Sequence, residues 1–469
     1  AEGVDDSVGV ELAGGRAMTD ASFEDFANNS SGFRQSNPPP SGWRSVKLRE
    51  VSSCTLGGTP PTGIPKYWGG SIPWMASGDV NLRRVYDVPG RITEAGLAIS
   101  NATLTSPPAV AVGLAGQGKT RGTVALTLCA LSTNQSIALL RGDESSLLTG
   151  YLFHNLDRRY EELRARSSGG GRGGLSKEIL ESIPIDLPPS GEQRLITQII
   201  DTLDTAIRQT EAIIEKLKQV KQGLLHDLLT CGIDENGELR PPQSEAPHLY
   251  KPSRLGWIPK EWDVSGLQSR ASPERSVIRT GPFGSTLKGE HWRQVGRPVI
   301  TIGSLGDRKF IEGELLYISE EKARSLADFE VHIGDIVFSR VADVGRSVVV
   351  GAAEVGWIMS SNFMRISIDL MKARPEYVQL VLSSDHRLRR QTRAHVNSGG
   401  RDVANSAILL GLLLGWPLSD EQDEVLRRVA SLNIEVDEEV RRFEKLNSVK
   451  IGLMDDLLTG RVRVTPLLK

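Results

Sequence analysis

Residues 190–230 read SGEQRLITQIIDTLDTAIRQTEAIIEKLKQVKQGLLHDLLT, and residues 419–459 read SDEQDEVLRRVASLNIEVDEEVRRFEKLNSVKIGLMDDLLT. The second stretch is the first displaced by 229 positions without a gap, so that Ser190 falls on Ser419. Apolar residues at 196, 200, 203, 207, 214, 217, 220, 224 and 228 have apolar counterparts at 425, 429, 432, 436, 443, 446, 449, 453 and 457. Steps of three and four wind such residues onto one face of an α-helix. The break near Thr210 and Glu439 keeps the pattern from being an unbroken heptad run. Ser190 and Ser419 stand where a side chain caps the first turn, with Gln193 and Gln422 three residues on, as in a capping box. Gly232 and Gly460 follow the ends, where a left-handed residue closes a helix. Two such helices most simply bury their stripes on each other, through Leu203, Leu217, Leu224 and Leu228 of the first and Leu432, Leu446, Leu453 and Leu457 of the second. Two ordinary core helices of similar domains would explain the stripe. They would not explain the shared surface residues Glu215/Glu444, Lys216/Lys445 and Lys221/Lys450.

The chain has 469 residues, and a repeat at this offset divides it into two halves. Hydrophobic residues make up 39% and charged residues 24%, the balance of a soluble globular protein. No apolar run is long enough to span a bilayer. The first residues lack the charged-then-apolar layout of a signal peptide. Three scattered cysteines, Cys54, Cys129 and Cys231, do not form a disulfide framework and suit the cytoplasm. No Cys/His spacing resembles a zinc site. With a net charge of −2, any DNA-binding surface must be a local patch.

In chain order, residues 1–42 are rich in small residues and read as a mobile arm. Residues 43–189 alternate short β-type runs with Gly and Pro, then a helical segment and a Gly-rich loop at 167–174, the pattern of an α+β head. The first long helix takes 190–231, and a polar, turn-rich linker 232–256. A second α+β head fills 257–417, the second helix 418–461 and a tail 462–469. The expected fold is two α+β heads separated by two long antiparallel helices with pseudo-two-fold symmetry.

The most conspicuous motif is Gly113–Thr120, GLAGQGKT, which fits the phosphate-loop pattern. A working phosphate loop opens a helix whose amides hold the phosphates. Here β-rich sequence follows (RGTVALTLCAL), so a β-hairpin turn is expected. Asn37-Pro38-Pro39-Pro40 lacks the aromatic residue of an adenine-methyltransferase motif. No nucleophile–base set, carboxylate pair or metal cluster stands out, and no catalytic residue and no metal ligand is assigned.

The basic segments are more informative. Arg158, Arg164 and Arg172 repeat at the same offset as Arg387, Arg393 and Arg401, before and inside the Gly-rich loops. Guanidinium forks beside a loop that backbone can approach closely suit phosphate. Head two adds Arg279, Lys288 and Arg293 around GlyProPheGlySer and His291-Trp292. All nine are candidate DNA contacts, and Trp68 and Trp292 are either part of such loops or ordinary core aromatics.

With these residues in place, the chain resembles the specificity subunits of type I restriction-modification enzymes. The marks are the two Glu-Gln helices ending AspLeuLeuThr, the linker CysGlyIleAspGluAsnGlyGluLeuArg, LeuGlyTrpIleProLysGluTrp at the second head, and TyrTrpGlyGlySerIleProTrp and SerSerAsnPheMetArgIle within the heads. The resemblance spans Trp43 to about Val464. It implies that each head is a target recognition domain reading one half of an interrupted double-stranded DNA sequence. It also implies that the helices dock two methyltransferase (modification) subunits, for which Glu215, Lys216, Lys221, Glu444, Lys445 and Lys450 are candidates. S-adenosylmethionine would then belong to the methyltransferases, ATP and Mg to restriction/motor subunits, and no cofactor to this chain. At about 1.5 Å per residue, a helix of about 38 residues spans roughly 57 Å, comparable with about 17 base pairs of duplex. Two other readings remain open on sequence: a coiled-coil scaffold joining two protein-binding heads without DNA, and a nucleotide hydrolase built on Gly113–Thr120.

Overall fold

A computed structural model describes residues 38–116, 118–166, 174–283, 286–306, 308–341, 344–396 and 404–468, with 392–396 as backbone only. The arm expected at 1–42 therefore lies, up to residue 37, outside the described residues, as do Arg172, Arg401 and the Gly-rich loops around them. The chain forms two compact units. One holds the first head with residues 190–213 and 439–469, and the other holds residues 214–438, which include the second head. Each long helix thus contributes half its length to each unit.

The first head runs through β1 (Arg44–Lys47), β2 (Ser52–Leu56), β3 (Trp68–Met75), β4 (Arg84–Val85), β5 (Arg91–Ile92), β6 (Ala109–Gly113), β7 (Val124–Thr127), β8 (Ser132–Thr133), β9 (Ile137–Gly142), α1 (Thr149–Arg158), α2 (Tyr160–Ala165) and β10 (Pro184–Leu187). A five-stranded sheet of order β2-β9-β6-β7-β4 carries the core, beside a smaller sheet β5-β3-β8. The runs AVAVG and VALT are buried along their whole length, because the sheet is covered on both faces. The first and last strands close the head by pairing antiparallel, Arg44 opposite Leu187.

The first long helix, α3 (Ser190–Thr230), follows at once. Its start departs from the expected capping box. Ser190 is already helical, and the carbonyl of Pro189 accepts the first turn's bond from Gln193 N. The Gln193 side chain does not reach back to the cap. It is buried, donates to the Pro188 and Ser146 carbonyls and accepts from Leu148 N at 2.9 Å, so it fixes the head to the helix.

The second head contains β11 (Tyr250–Ser253), β12 (Gly256–Pro259), β13 (Asp263–Gly266), β14 (Ile278–Thr280), β15 (Trp292–Arg293), β16 (Arg297–Ile300), β17 (Leu316–Ile318), β18 (Ile336–Ser339), β19 (Ser347–Val349), β20 (Ile358–Met359), β21 (Phe363–Ile366), α4 (Pro375–Ser384), α5 (His386–Val396) and β22 (Leu413–Trp416). Its sheets are β14-β21-β18-β19 and β15-β17-β16-β20, and β13 pairs with β22 to close it, Asp263 opposite Trp416. The second long helix, α6, runs Ser419–Leu457. Gln422 repeats the role of Gln193, donating to Pro417 O and accepting from Arg374 N, each at 2.9 Å.

Within the first unit, Ile196 and Ile200 at the start of α3 share a core with Met454 and Leu457 at the end of α6. Within the second, Leu228 at the end of α3 joins Val425 and Val429 at the start of α6. In each unit the helices therefore run antiparallel. The stripes do not bury on each other alone. The same cores take in Tyr151, Leu152 and Ile185 of head one, and Tyr377, Leu388 and Trp416 of head two. Of the eight leucines expected to pair, Leu228, Leu432 and Leu457 are buried, and Leu203, Leu217, Leu224, Leu446 and Leu453 are half-buried. Gly232 and Gly460 take φ +68° just beyond the helices, as their left-handed closing role requires. Among the described residues, no helix is long and apolar enough to cross a membrane.

Candidate nucleic-acid interface

The structure gives most of the predicted arginines intramolecular work. Arg158, at the end of α1, pairs with Asp455 of α6 at 2.9 Å, its side chain 27% exposed. Its counterpart Arg387 donates to the Leu229 carbonyl of α3 and to Asp385 at 2.7 Å. Both hold a head against a long helix, a role their reading as phosphate ligands did not include. Arg164 donates to the Gly118 carbonyl at 2.7 Å and lies over the Tyr160 ring, which locks the tip of the β6–β7 hairpin. Arg172 and Arg401 lie outside the described residues, as does the side chain of Arg393.

That hairpin contains the phosphate-loop look-alike. β6 and β7 pair antiparallel, Gly113 N donates to Thr123 O, and Gly122 N donates to Gly113 O. No helix opens after Lys119, so the loop lacks the helix N-terminus that a phosphate loop requires. In head two, Arg340 N donates to Asn362 O and Ala404 N to Arg340 O. Leu114 does the same in head one with Ser136 O and Leu175 N, which makes the two hairpins structural equivalents.

In head two, Arg279 pairs with Asp328 at 2.6 Å and lies over Phe329. Its neighbour Arg275 pairs with buried Asp335 at 2.8 Å. Between them sits buried Arg365, its pKa pushed down to about 10 first by burial and then by the Arg275 charge. Arg275 and Arg365 are turned inward, whereas the Arg279 side chain stays 41% exposed. Lys288 and Arg293 stay exposed, on a turn capped by His291 Nδ1 accepting from Lys288 N at 2.9 Å. Trp68 and Trp292 pack on core clusters and are core aromatics.

A charged chain that sequence reasoning missed lies in the first unit. Arg83 pairs with Asp157 of α1, and Asp157 lies 3.8 Å from Lys450 of α6. Lys450 binds Asp204 of α3 at 2.6 Å, Arg84 reaches both Asp204 and Asp201, and Asp201 meets buried His154 Nε2 at 2.7 Å. Lys450 is thus an internal tether, its side chain only 12% exposed. His154, Asp201 and Asp204 offer ligand atoms within 4.8 Å of one another. Arg84 and Lys450 already neutralise the two carboxylates, so the group needs no metal. Burial alone would raise the Asp201 pKa, but the hydrogen bond and charge of His154, with Arg84, bring it below the usual carboxylate value. None of this was legible in sequence, because its members come from β4, α1, α3 and α6. Of the other docking candidates, Glu215, Lys216, Glu444 and Lys445 are exposed, Lys221 is half-buried, and Glu215 pairs with Lys218 at 2.7 Å.

Comparison with known proteins agrees with this architecture. Residues 40–219 match the family described as the type I restriction modification DNA specificity domain. The chain is 23% identical over 325 residues to the type I restriction enzyme MjaVIII specificity subunit of Methanocaldococcus jannaschii, covering 68% of this chain and 71% of that one. It is 22% identical over 307 residues to the EcoBI specificity subunit of Escherichia coli, covering 64% of this chain and 62% of the relative. The fold is similar to the crystal structure of an S subunit from M. genitalium, with TM-score 0.53 and 14% identity over 90% of this chain and 97% of that one. A chain from a structural study of type I assembly and conformational transition gives TM-score 0.55 at 13% identity, over 91% of this chain and 100% of that one. Residues 40–219 thus match a type I restriction modification DNA specificity domain, and the chain as a whole is similar in sequence and fold to specificity subunits of type I restriction enzymes.

Proposed function

We propose that this chain is the sequence-reading subunit of a type I restriction-modification complex, each head reading one half of an interrupted double-stranded DNA target. The observation that carries the reading is the duplicated unit. Each head is closed by its own strand pair, β1 with β10 and β13 with β22, and is fastened by a buried glutamine to the start of a long helix. A head held this rigidly can present loops to base edges with the precision that direct readout needs.

Chemistry on DNA belongs to other subunits in this reading, and the chain is non-catalytic. Two methyltransferase subunits would bring S-adenosylmethionine, and restriction subunits ATP and Mg. The exposed repeated residues Glu215/Glu444 and Lys216/Lys445 offer two similar docking surfaces on the helices. Such a complex works on cytoplasmic DNA. The test is methylation profiling of host DNA by single-molecule sequencing with and without the gene. Loss of methylation at one bipartite motif supports the reading. An unchanged methylome, together with no salt-sensitive gel shift by the chain, would leave a protein-binding scaffold as the better account.

A further inference from the structure

The two heads differ in sequence but share one turn. β3 runs parallel to β8, with Trp74 opposite Ser132 and Met75 opposite Thr133. β16 runs parallel to β20, with Val299 opposite Ile358 and Ile300 opposite Met359. Just past each pair, Asn134 N donates to Met75 O and Ser360 N to Ile300 O, both at 3.1 Å. Beyond the strand each chain turns under the same kind of cap. Asp79 Oδ2 accepts from Ala76 N at 2.9 Å, and Ser304 Oγ accepts from Thr301 N at 2.8 Å. The next residue, Val80 or Leu305, is a fully buried plug. Three residues further stand Arg83 and Arg308, with φ of 59° and 62°. Among the described residues they are the only non-glycine residues with positive φ.

A positive φ drives an L-residue's Cβ against its own backbone, whereas glycine adopts it freely. Arginine gains nothing locally there, so its side chain must supply the reason for its presence. Both arginines interact within the chain, and in head one Asp157 accepts from both Arg83 Nη atoms, at 3.0 and 2.6 Å. That pair is not the shared reason, because the position 229 residues on from Asp157 is His386, which is never an anion. Around the two arginines the turn sequences diverge, Val80-Asn81-Leu82 against Leu305-Gly306-Asp307. Heads that read different half-sites share one chemical requirement, the phosphate backbone. A guanidinium fork matches it.

We infer that Arg83 and Arg308 are equivalent phosphate contacts, one in each head, that set the head's register on the duplex. The inference rests on the DNA-recognition reading above. Accessibility fits: Arg308 is exposed, and the Arg83 side chain is 45% exposed even with Asp157 bound. A phosphate that draws Arg83 away does not strand Asp157, because Lys450 Nζ lies 3.8 Å from the same carboxylate.

The test compares the full-length parent with Arg83→Gly, Arg308→Gly and the double variant. Affinity is measured against salt on the host-methylated duplex and on an unrelated one, with thermal melting alongside. Glycine relieves the backbone, so melting temperature should hold or rise. Binding should weaken by the same factor on both duplexes, and the slope of log affinity against log salt should become shallower by about 0.9 per arginine. Arg83→Lys should restore most of the slope. A parental slope in both glycine variants would overturn the inference, and so would a lower melting temperature with unchanged binding, which would make the arginines structural. A changed ratio between the duplexes would assign them to base reading instead. A parent that binds neither duplex would overturn the DNA-recognition reading itself, an outcome distinct from all of these.

Discussion

Glu192 and Arg463 are 271 positions apart in sequence and share two hydrogen bonds, Nη2 to Oε1 at 2.6 Å and Nε to Oε2 at 3.0 Å. Arg463 also donates to Ser41 O and lies over the Trp43 ring. The other unit repeats the device with Glu421, which accepts from Arg240 at 2.5 Å, from Trp262 Nε1 at 3.1 Å and from Ile233 N at 2.7 Å. In each case a glutamate at the start of one long helix grips an arginine that follows the other, beside the tryptophan that opens a head. Gly232 fits this clasp because a Cβ there would run into Glu421, Trp262 and Arg240.

These clasps should differ in cost when broken. Among the described residues, Glu421→Ala leaves Arg240, 7% exposed, with only Glu261 at 3.8 Å as a carboxylate partner and strips Ile233 N and Trp262 Nε1 of their acceptor, and should destabilise by about 3–5 kcal/mol. Glu192→Ala leaves Arg463, whose side chain is 29% exposed and reaches water, so its cost should be nearer 1–2 kcal/mol. Urea unfolding of the two variants measures both. Equal costs would show that burial of the arginine is not what sets the penalty.

Arg158→Ala should lower the melting temperature, because Asp455 loses the partner that ties head one to α6. Its DNA affinity should keep the parent's salt slope. A slope shallower by about one unit would return Arg158 to the phosphate contacts.

Acid should weaken the first unit through Asp201. Its folded pKa is depressed, so its contribution is present above the unfolded value of about 3.9 and is lost as pH falls through the lower folded value. Asp201→Asn should therefore flatten the decline in stability below about pH 4. Urea midpoints between pH 2.5 and pH 6 (roughly the range over which such carboxylates titrate) compare the two chains, and parallel acid limbs would contradict the assignment.

Lys119→Ala should change neither folding nor DNA binding beyond a few-fold. Among the described residues only the backbone of Lys119 is used, its carbonyl accepting from Thr123 Oγ1 and the Tyr160 hydroxyl. The parent should not bind ATP in equilibrium dialysis. Binding that disappears in the variant would overturn the hairpin reading of function.

The two long helices, the duplicated plan and the hairpin at Gly113–Thr120 were readable from the chain alone, whereas the second helix stops at Leu457, short of the expected 461. Their signals are local: a stripe repeats every three or four residues, and a glycine stops a helix wherever a left-handed residue is needed. A 229-residue repeat was equally plain, since it compares the sequence only with itself.

The roles of the charged residues were decided by tertiary structure. A run such as DRRYEELRAR announces positive charge, but not whether a guanidinium meets a phosphate or Asp455, which lies 297 residues from Arg158. Gln193 looked like a helix cap because the residue three positions from a serine suits one. Burial gave it a head carbonyl and a head amide to satisfy instead. Likewise Lys450 matched Lys221 as a surface pair in sequence, yet folding set it among Asp157 and Asp204. Periodicity fixes which face of a helix turns inward, because backbone geometry is local. Which ions meet there depends on what distant segments bring to that face, because an ion pair is a matter of distance in space.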